Sequence, residues 1–317
     1  MSSKGDWHQQ KEVVSTVFGI KIVLWIYSVL GRKITKGCLY IIVSFYWFFG
    51  HKQRRYSKMY INQLTEYATQ QGLTLPKVST FRHFLCFSEA LLDKLLCWNG
   101  QIILSDLDVK QNDVEQYPEQ GILIIGSHLG NMEVCRALSE LAKNRKVHIL
   151  IQMEQTEAFN AILQSLNPGS QVNLVSISDI SPQTMIFLKE ALEQGDIVTI
   201  LADRLPANKY QRSDVGLPMN FLGKGAVFPK GPFVLSLLLQ VPTFFLIAAR
   251  NHNQFDFYLH EMDIPKSNER KHRQKNIQYL LEQYINYLET YTIKYPMQWY
   301  NFYNFWQQTD QQPKDKS

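Results

Sequence analysis

Gly121-Ile122-Leu123-Ile124-Ile125 is an uninterrupted apolar run that stops at Gly126. It is too short for a buried helix, and it has no alternation that would expose one face. Such a run reads as a strand covered on both sides, as in a parallel sheet. Stretches of strand character recur at Val147 to Ile151, Val172 to Ile177, Ile197 to Leu201, Thr243 to Ala249 and Phe255 to Leu259. Between them lie stretches with apolar residues at three- and four-residue spacing: Asn131 to Lys143, Ala158 to Leu166, Pro182 to Gln194, Pro229 to Leu239 and the long Lys271 to Tyr295. Asn167-Pro168-Gly169 is a strong helix stop. Strands alternating with helices predict an α/β fold: a mixed, largely parallel central sheet with helices on both faces. Upstream, Ser57 to Thr69 and Phe81 to Cys97 carry a helical pattern.

The bulk properties narrow the function. Hydrophobic residues make up 45% of the chain, enough for a sizeable core. The formal charge of +5 is only mildly basic, and no basic arm, zinc-finger spacing or RNP-like pattern accompanies it. That balance suits an anionic surface or an acidic carrier better than nucleic acid. Cys38, Cys86, Cys97 and Cys135 form no CxxC pair, which argues for a reducing compartment and against a zinc site.

Two apolar stretches mark the N-terminal region: Val13 to Gly31, with Lys21 in its middle, and Cys38 to Gly50, dense in Tyr, Trp and Phe. Arg32, Lys33 and Lys36 separate them, and His51, Lys52, Arg54 and Arg55 follow. A spanning helix needs about 20 apolar residues, and aromatic residues favour the interface. Residues 1–52 therefore read as a hydrophobic, membrane-associated helical segment, either one span or a hairpin in the cytoplasmic leaflet. A pair of buried core helices is the alternative. Residues 53–306 form the main domain, and the polar tail 307–317 reads as disordered.

The chemistry concentrates just after the first run. Ser127 and His128 fall at the carboxyl end of a strand, the edge at which open α/β sheets gather ligands. Gly130 permits a sharp turn and Asn131 suits an N-cap. Glu133 is then expected in the first helical turn, reaching back to the His128 imidazole. A carboxylate on one ring nitrogen fixes the tautomer and leaves the other nitrogen to take a proton. The helix N-terminus would also offer backbone N–H groups to an oxyanion. A structural histidine and a capping glutamate would give the same spacing. No Gly-x-Ser-x-Gly elbow is present, and Leu222-Gly223-Lys224-Gly225 lacks the rest of a phosphate-loop or dinucleotide fingerprint.

Further blocks follow in order along the chain. Trp7 and Glu12 precede the first apolar stretch, and Gly31-Arg32 closes it. Phe81-Arg82-His83-Phe84, Leu91-Leu92-Asp93, the His128/Glu133 block and Ala202-Asp203-Arg204 come next. Then come Phe221 to Pro232 and Pro296-Met297-Gln298-Trp299-Tyr300-Asn301-Phe302-Tyr303-Asn304-Phe305-Trp306. In this set the chain resembles the late lipid A (lauroyl/myristoyl) acyltransferase family of the lysophospholipid acyltransferase superfamily, and within it the members associated with aryl-polyene-type lipids.

The resemblance implies a membrane-associated O-acyltransferase with a glycerolipid acyltransferase-like fold. The donor would be a fatty acyl thioester on acyl carrier protein or coenzyme A, and the acceptor a hydroxyl of a lipid or glycolipid. It implies His128 as general base and Glu133 as its orienting partner. Asp203 and Arg204 would bind substrate, and Phe221, Gly223 and Ala226 would shape the groove. Neither cofactor nor metal is implied. The expected setting is a monomer at a bacterial inner membrane, with the domain on the cytoplasmic side and Lys52, Arg54, Arg55 and Lys58 facing an acidic carrier or lipid heads. One departure bears on the acceptor. Where lipid A enzymes carry an arginine-rich block, Gln152 to Glu157 has two acids and no arginine, which suits a less phosphorylated acceptor. The other readings are a lipid-binding scaffold without turnover and a thioesterase or lipid hydrolase.

Overall fold

In the computed structural model, the residues described are 4–117, 119–134, 145–151, 172–176, 181–205, 215–266, 269 and 271–306, with side chains from residue 24 onward. Three helices lead: α1 (Lys4–Phe49), α2 (His51–Gln70) and α3 (Thr80–Trp98). The strands follow as β1 (Leu107–Asn112), β2 (Ile122–Gly126), β3 (Val147–Ile151), β4 (Val172–Ser176), β5 (Ile197–Leu201), β6 (Gly216–Phe221), β7 (Lys224–Pro229), β8 (Thr243–Asn251) and β9 (Gln254–Met262). Among them lie α4 (Pro182–Glu193), α5 (Gly231–Leu239) and α6 (Arg273–Lys294).

Seven strands form one sheet in the order β1-β9-β8-β2-β5-β3-β4. Every neighbouring pair is parallel except β8 and β9, which run antiparallel through the turn at His252 and Asn253. The fold is therefore α/β with a mixed, mostly parallel sheet flanked by helices. The six expected strands are all present. The sheet adds β1, whose polar sequence gave no apolar run because it is an edge strand. The expected helices at Ala158 to Leu166 and in most of Asn131 to Lys143, together with the tail 307–317, lie outside the described residues.

The central strands β2, β5 and β8 are covered on both faces, as their apolar composition requires. Leu123, Ile125, Val198, Ile200, Phe245 and Ile247 point into a core shared with α4, α5 and α6. Ile122, Ile124, Ile197, Phe244 and Leu246 point the other way, toward Cys97 and Leu107. Alternation along each strand sends successive side chains to opposite cores.

The stretch Phe221 to Pro229, which holds the expected groove residues, forms the turn and second strand of the β6–β7 hairpin. Leu222 (φ 51°) and Gly223 (φ 74°) are both left-handed at its tip, the geometry of a two-residue hairpin turn.

The N-terminal region differs from the expected span. No helix among the described residues is long and apolar enough to cross a membrane. The backbone runs as one helix broken by the positive φ of Gly31. The cations between the two apolar stretches dock on α3: Arg32 pairs with Asp93 at 2.9 Å and Lys36 with Glu89 at 3.2 Å. Leu24 packs with Leu92 and Leu96. Beyond this contact Trp25, Ile41, Phe45, Tyr46, Phe48 and Phe49 are each more than half exposed.

Candidate active site

β2 lies at the middle of the sheet, between β5 and β8. The chain leaves β2 for strands on one side and later returns to the other, so the carboxyl end of β2 is a topological switch point. The register places the site. Gly126 is paired with Leu201, and the Ala202 amide donates to the Gly126 carbonyl at 3.0 Å, extending the ladder by one step. Two residues past that pair on each strand come His128 and Asp203. The Asp203 carboxylate accepts from His128 Nδ1 at 2.8 Å and from the His128 backbone amide at 2.9 Å. Trp299 Nε1 donates to the same carboxylate at 3.1 Å.

This geometry assigns the tautomer. Asp203 is a buried acceptor, so Nδ1 carries the hydrogen and Nε2 presents a lone pair. Nε2 has no hydrogen-bond partner among the described residues, and the His128 side chain is 31% exposed whereas Asp203 is 1% exposed. Burial pushes the Asp203 carboxyl up, but the charge and hydrogen bonds of His128, with Arg204 nearby, outweigh it and hold the group well below the usual carboxylate range.

The loop after β2 is tightly held. Gly130 has φ +75°, and a Cβ there would lie 2.4 Å from the Ala248 carbonyl oxygen, so only glycine fits. The 298–300 segment pairs alongside: Gly130 N–H donates to the Gln298 carbonyl, Tyr300 N–H donates to the His128 carbonyl, and Leu129 bridges Trp299. Asn131 Oδ1 accepts from the Glu133 amide at 3.1 Å, the capping role expected of it. The amides of 129, 130, 131, 133 and 134 are all bonded within the protein. From 129 to 134 that leaves only the Met132 amide as a candidate oxyanion donor, fewer than the sequence led one to expect.

Glu133 is the principal correction. It occupies a single 3-10 turn, Met132–Val134, and its carboxylate faces α3, where it accepts from Trp98 Nε1 at 2.9 Å and pairs with Lys94 at 2.8 Å. Both oxygens are held away from the imidazole, and Asp203 fills the orienting position. Ser127 is 1% exposed with its Oγ bonded to the Leu129 amide, so it is no open nucleophile.

The remaining expected residues divide. Arg204 stays beside the pair, donating to the Tyr300 carbonyl at 2.6 Å and lying over the Tyr303 ring. Phe221 and Ala226 are fully buried. Phe221 meets the site at Trp299, 5.0 Å between ring centroids. Gly223 lies at the hairpin tip against Tyr67 of α2, away from the imidazole. Phe221 and Ala226 belong to the core beneath the site, whereas Gly223 is exposed at the hairpin tip.

Trp299 is the residue whose place the sequence did not reveal. Its indole binds Asp203, its carbonyl accepts from His83 Nε2 at 2.9 Å, and Ser57 Oγ donates to His83 Nδ1 at 2.8 Å. Buried His83 is thereby satisfied as a neutral ring; burial lowers its pKa to about 4, against the opposing pull of the Trp299 carbonyl. The one available signal was the ordered aromatic block containing Trp299. Among the described residues, no group of three or more His, Cys, Asp or Glu side chains could hold a metal ion. Compared with known proteins, the chain matches no family model and no curated relative.

Proposed function

We propose that the protein is a membrane-associated O-acyltransferase that moves a fatty acyl chain from an acyl thioester, on acyl carrier protein or coenzyme A, to a hydroxyl of a lipid or glycolipid. The observation that carries the reading is the His128–Asp203 pair at the carboxyl edge of the sheet, with Nε2 unpartnered and the acid buried. The ordered sequence blocks that resemble lipid A acyltransferases support the choice of acyl transfer over other base-assisted chemistry.

The steps follow from the pair. Nε2 takes the proton of the acceptor hydroxyl as its oxygen attacks the thioester carbonyl carbon. The buried carboxylate stabilises the imidazolium that forms and keeps the ring from rotating. As the tetrahedral intermediate collapses, the C–S bond breaks and Nε2 hands its proton to the departing sulfur, which leaves as the thiol and restores the neutral imidazole. Arg204 is the nearest cation for negative charge on either substrate. The exposed aromatic stretch Trp25 to Phe49, followed by Lys52, Arg55 and Lys58, suits the surface of an anionic membrane. On this reading the enzyme works at the cytoplasmic face of a bacterial inner membrane.

The test is product analysis with a long-chain acyl thioester, with and without a hydroxylated lipid. The expected result is an acylated lipid that disappears in His128→Ala. Free fatty acid formed at the same rate with or without acceptor would instead identify a hydrolase. Acyl-chain binding without turnover would identify a scaffold.

A further inference from the structure

A cavity of about 440 Å³ opens behind the His128 loop, walled by Gly130, Asn131, Gln298 and Tyr300 of that site and by residues of α3, β8 and α6. Five cationic side chains line it: Lys36, Lys77, Arg82, Arg250 and Lys294. Three carboxylates face them, and each is already engaged. Glu89 is paired with Lys36 at 3.2 Å. Asp256 accepts from Asn251 Nδ2 at 2.9 Å and from the Tyr295 hydroxyl at 2.6 Å. Asp93, 1% exposed, answers two guanidiniums with a single charge: Arg32 at 2.9 Å and Arg250 at 2.6 Å.

The surplus is positive and lies where a ligand could reach it. Among the described residues neither Lys77 nor Arg82 has a carboxylate partner; Arg82 Nη1 donates to the Lys77 carbonyl at 3.1 Å, which gathers the two at one rim. Lys294 donates to the Tyr258 hydroxyl, a neutral partner. Asn131 adds a second kind of signal. It is 7% exposed, it lines the cavity, and its Nδ2 has no acceptor among the described residues. A buried amide donor without an acceptor is destabilising. Cations without acids and a donor without an acceptor all call for an anion rich in oxygen. Arginine's planar fork matches a phosphate in particular.

We propose that this cavity binds a phosphate-bearing portion of a substrate, seated behind the His128 loop while the reacting carbon lies at Nε2. The proposal rests on the acyl-transfer reading for its meaning. The phosphate would belong to the phosphopantetheine arm of the thioester donor or to the headgroup of a lipid acceptor. The shared wall motivates the arrangement, because Gly130, Asn131, Gln298 and Tyr300 line the cavity and also belong to the paired segments that hold the His128 loop.

The test titrates the full chain calorimetrically with coenzyme A and with lysophosphatidate below its micelle concentration, each against its phosphate-free counterpart, pantetheine or monoacylglycerol. At least one phosphate probe should bind about tenfold or more tightly than its counterpart, and that advantage should fall about tenfold in Lys77→Ala/Arg82→Ala and shrink with added salt. Response to coenzyme A alone assigns the donor; response to lysophosphatidate alone assigns the acceptor. Lys294→Gln should weaken the same probe, and it decides the matter if near-UV circular dichroism shows the double variant to be unfolded. Equal binding of phosphate and phosphate-free probes, or an undiminished advantage in the folded variants, overturns the proposal. His128→Ala should keep the binding and lose the transfer. Phosphate binding in a wild-type chain that transfers no acyl group would sink the acyl-transfer reading while leaving the anion site standing.

Discussion

Among the described residues the sheet carries two histidine–aspartate pairs, one toward its carboxyl edge and one toward its amino edge. At the carboxyl edge His128 Nδ1 meets Asp203 at 2.8 Å; near the amino edge His148 Nε2 meets Asp196, also at 2.8 Å. The bond lengths agree, and the surroundings do not. The His128 side chain is 31% exposed, follows β2 and leaves Nε2 open. His148 is 5% exposed, lies inside β3, faces the edge of the Phe187 ring and keeps Nδ1 buried without a partner among the described residues. Asp196 also accepts from the Lys146 amide, which ties the start of β3 to the start of β5. A histidine–acid pair is thus a site only where the second ring nitrogen can reach a substrate. At the other edge the same pair is a brace.

This contrast can be broken or sharpened. His128→Ala should lower acyl transfer by about 10⁴-fold, the upper range for loss of a general base, measured as initial rate at saturating thioester. Asp203→Asn should cost up to about 10⁴-fold, because the amide can present its N–H to Nδ1 and favour the wrong tautomer; a rate within twofold of wild type would remove Asp203 from the mechanism. His83 sharpens the contrast as a histidine buried without an acid. Its folded pKa of about 4 lies below the ordinary value of 6.5, so the unfolded chain binds the extra proton between them. Stability should therefore be full above pH 6.5 and fall on the order of 3 kcal/mol by pH 4. Urea melts across that range should show the slope reduced in His83→Gln.

The smaller effects belong to the braces. His148→Ala should leave the rate per folded enzyme within about twofold and cost about 2 kcal/mol, since Asp196 loses its buried partner; a large loss of rate with an unchanged melting temperature would show that the amino edge does more than hold β3. Glu133→Gln should be milder still, about 1 kcal/mol through the weakened contacts with Lys94 and Trp98, with transfer near wild type. A 10³-fold loss there would restore Glu133 as the partner of the imidazole.

Much of the fold could be read along the chain. The run Gly121 to Gly126 identified its strand and both of its buried faces, and it put His128 at the ligand-bearing edge, because burial in a parallel sheet leaves a continuous apolar signature. The partner of His128 could not be read in the same way. Glu133 is five residues away and Asp203 seventy-five, and local spacing favours the nearer acid. The register Gly126↔Leu201 brings the distant one opposite, while Trp98 and Lys94 of α3 draw the near one aside. The β6–β7 hairpin was hidden for a related reason. Its tip uses a left-handed leucine beside Gly223, a choice that hairpin turns seldom make.

The amino-acid order by itself determined the layered α/β architecture, the buried strands and the position of the imidazole, since these depend on hydrophobic periodicity and on glycine at Gly130, both local properties. Tertiary structure alone decided which carboxylate holds the ring, which histidine is closed off, and where unmatched cations gather around a cavity. Those outcomes depend on strand register and on side chains from remote helices meeting in space, and no single stretch of chain encodes such a meeting.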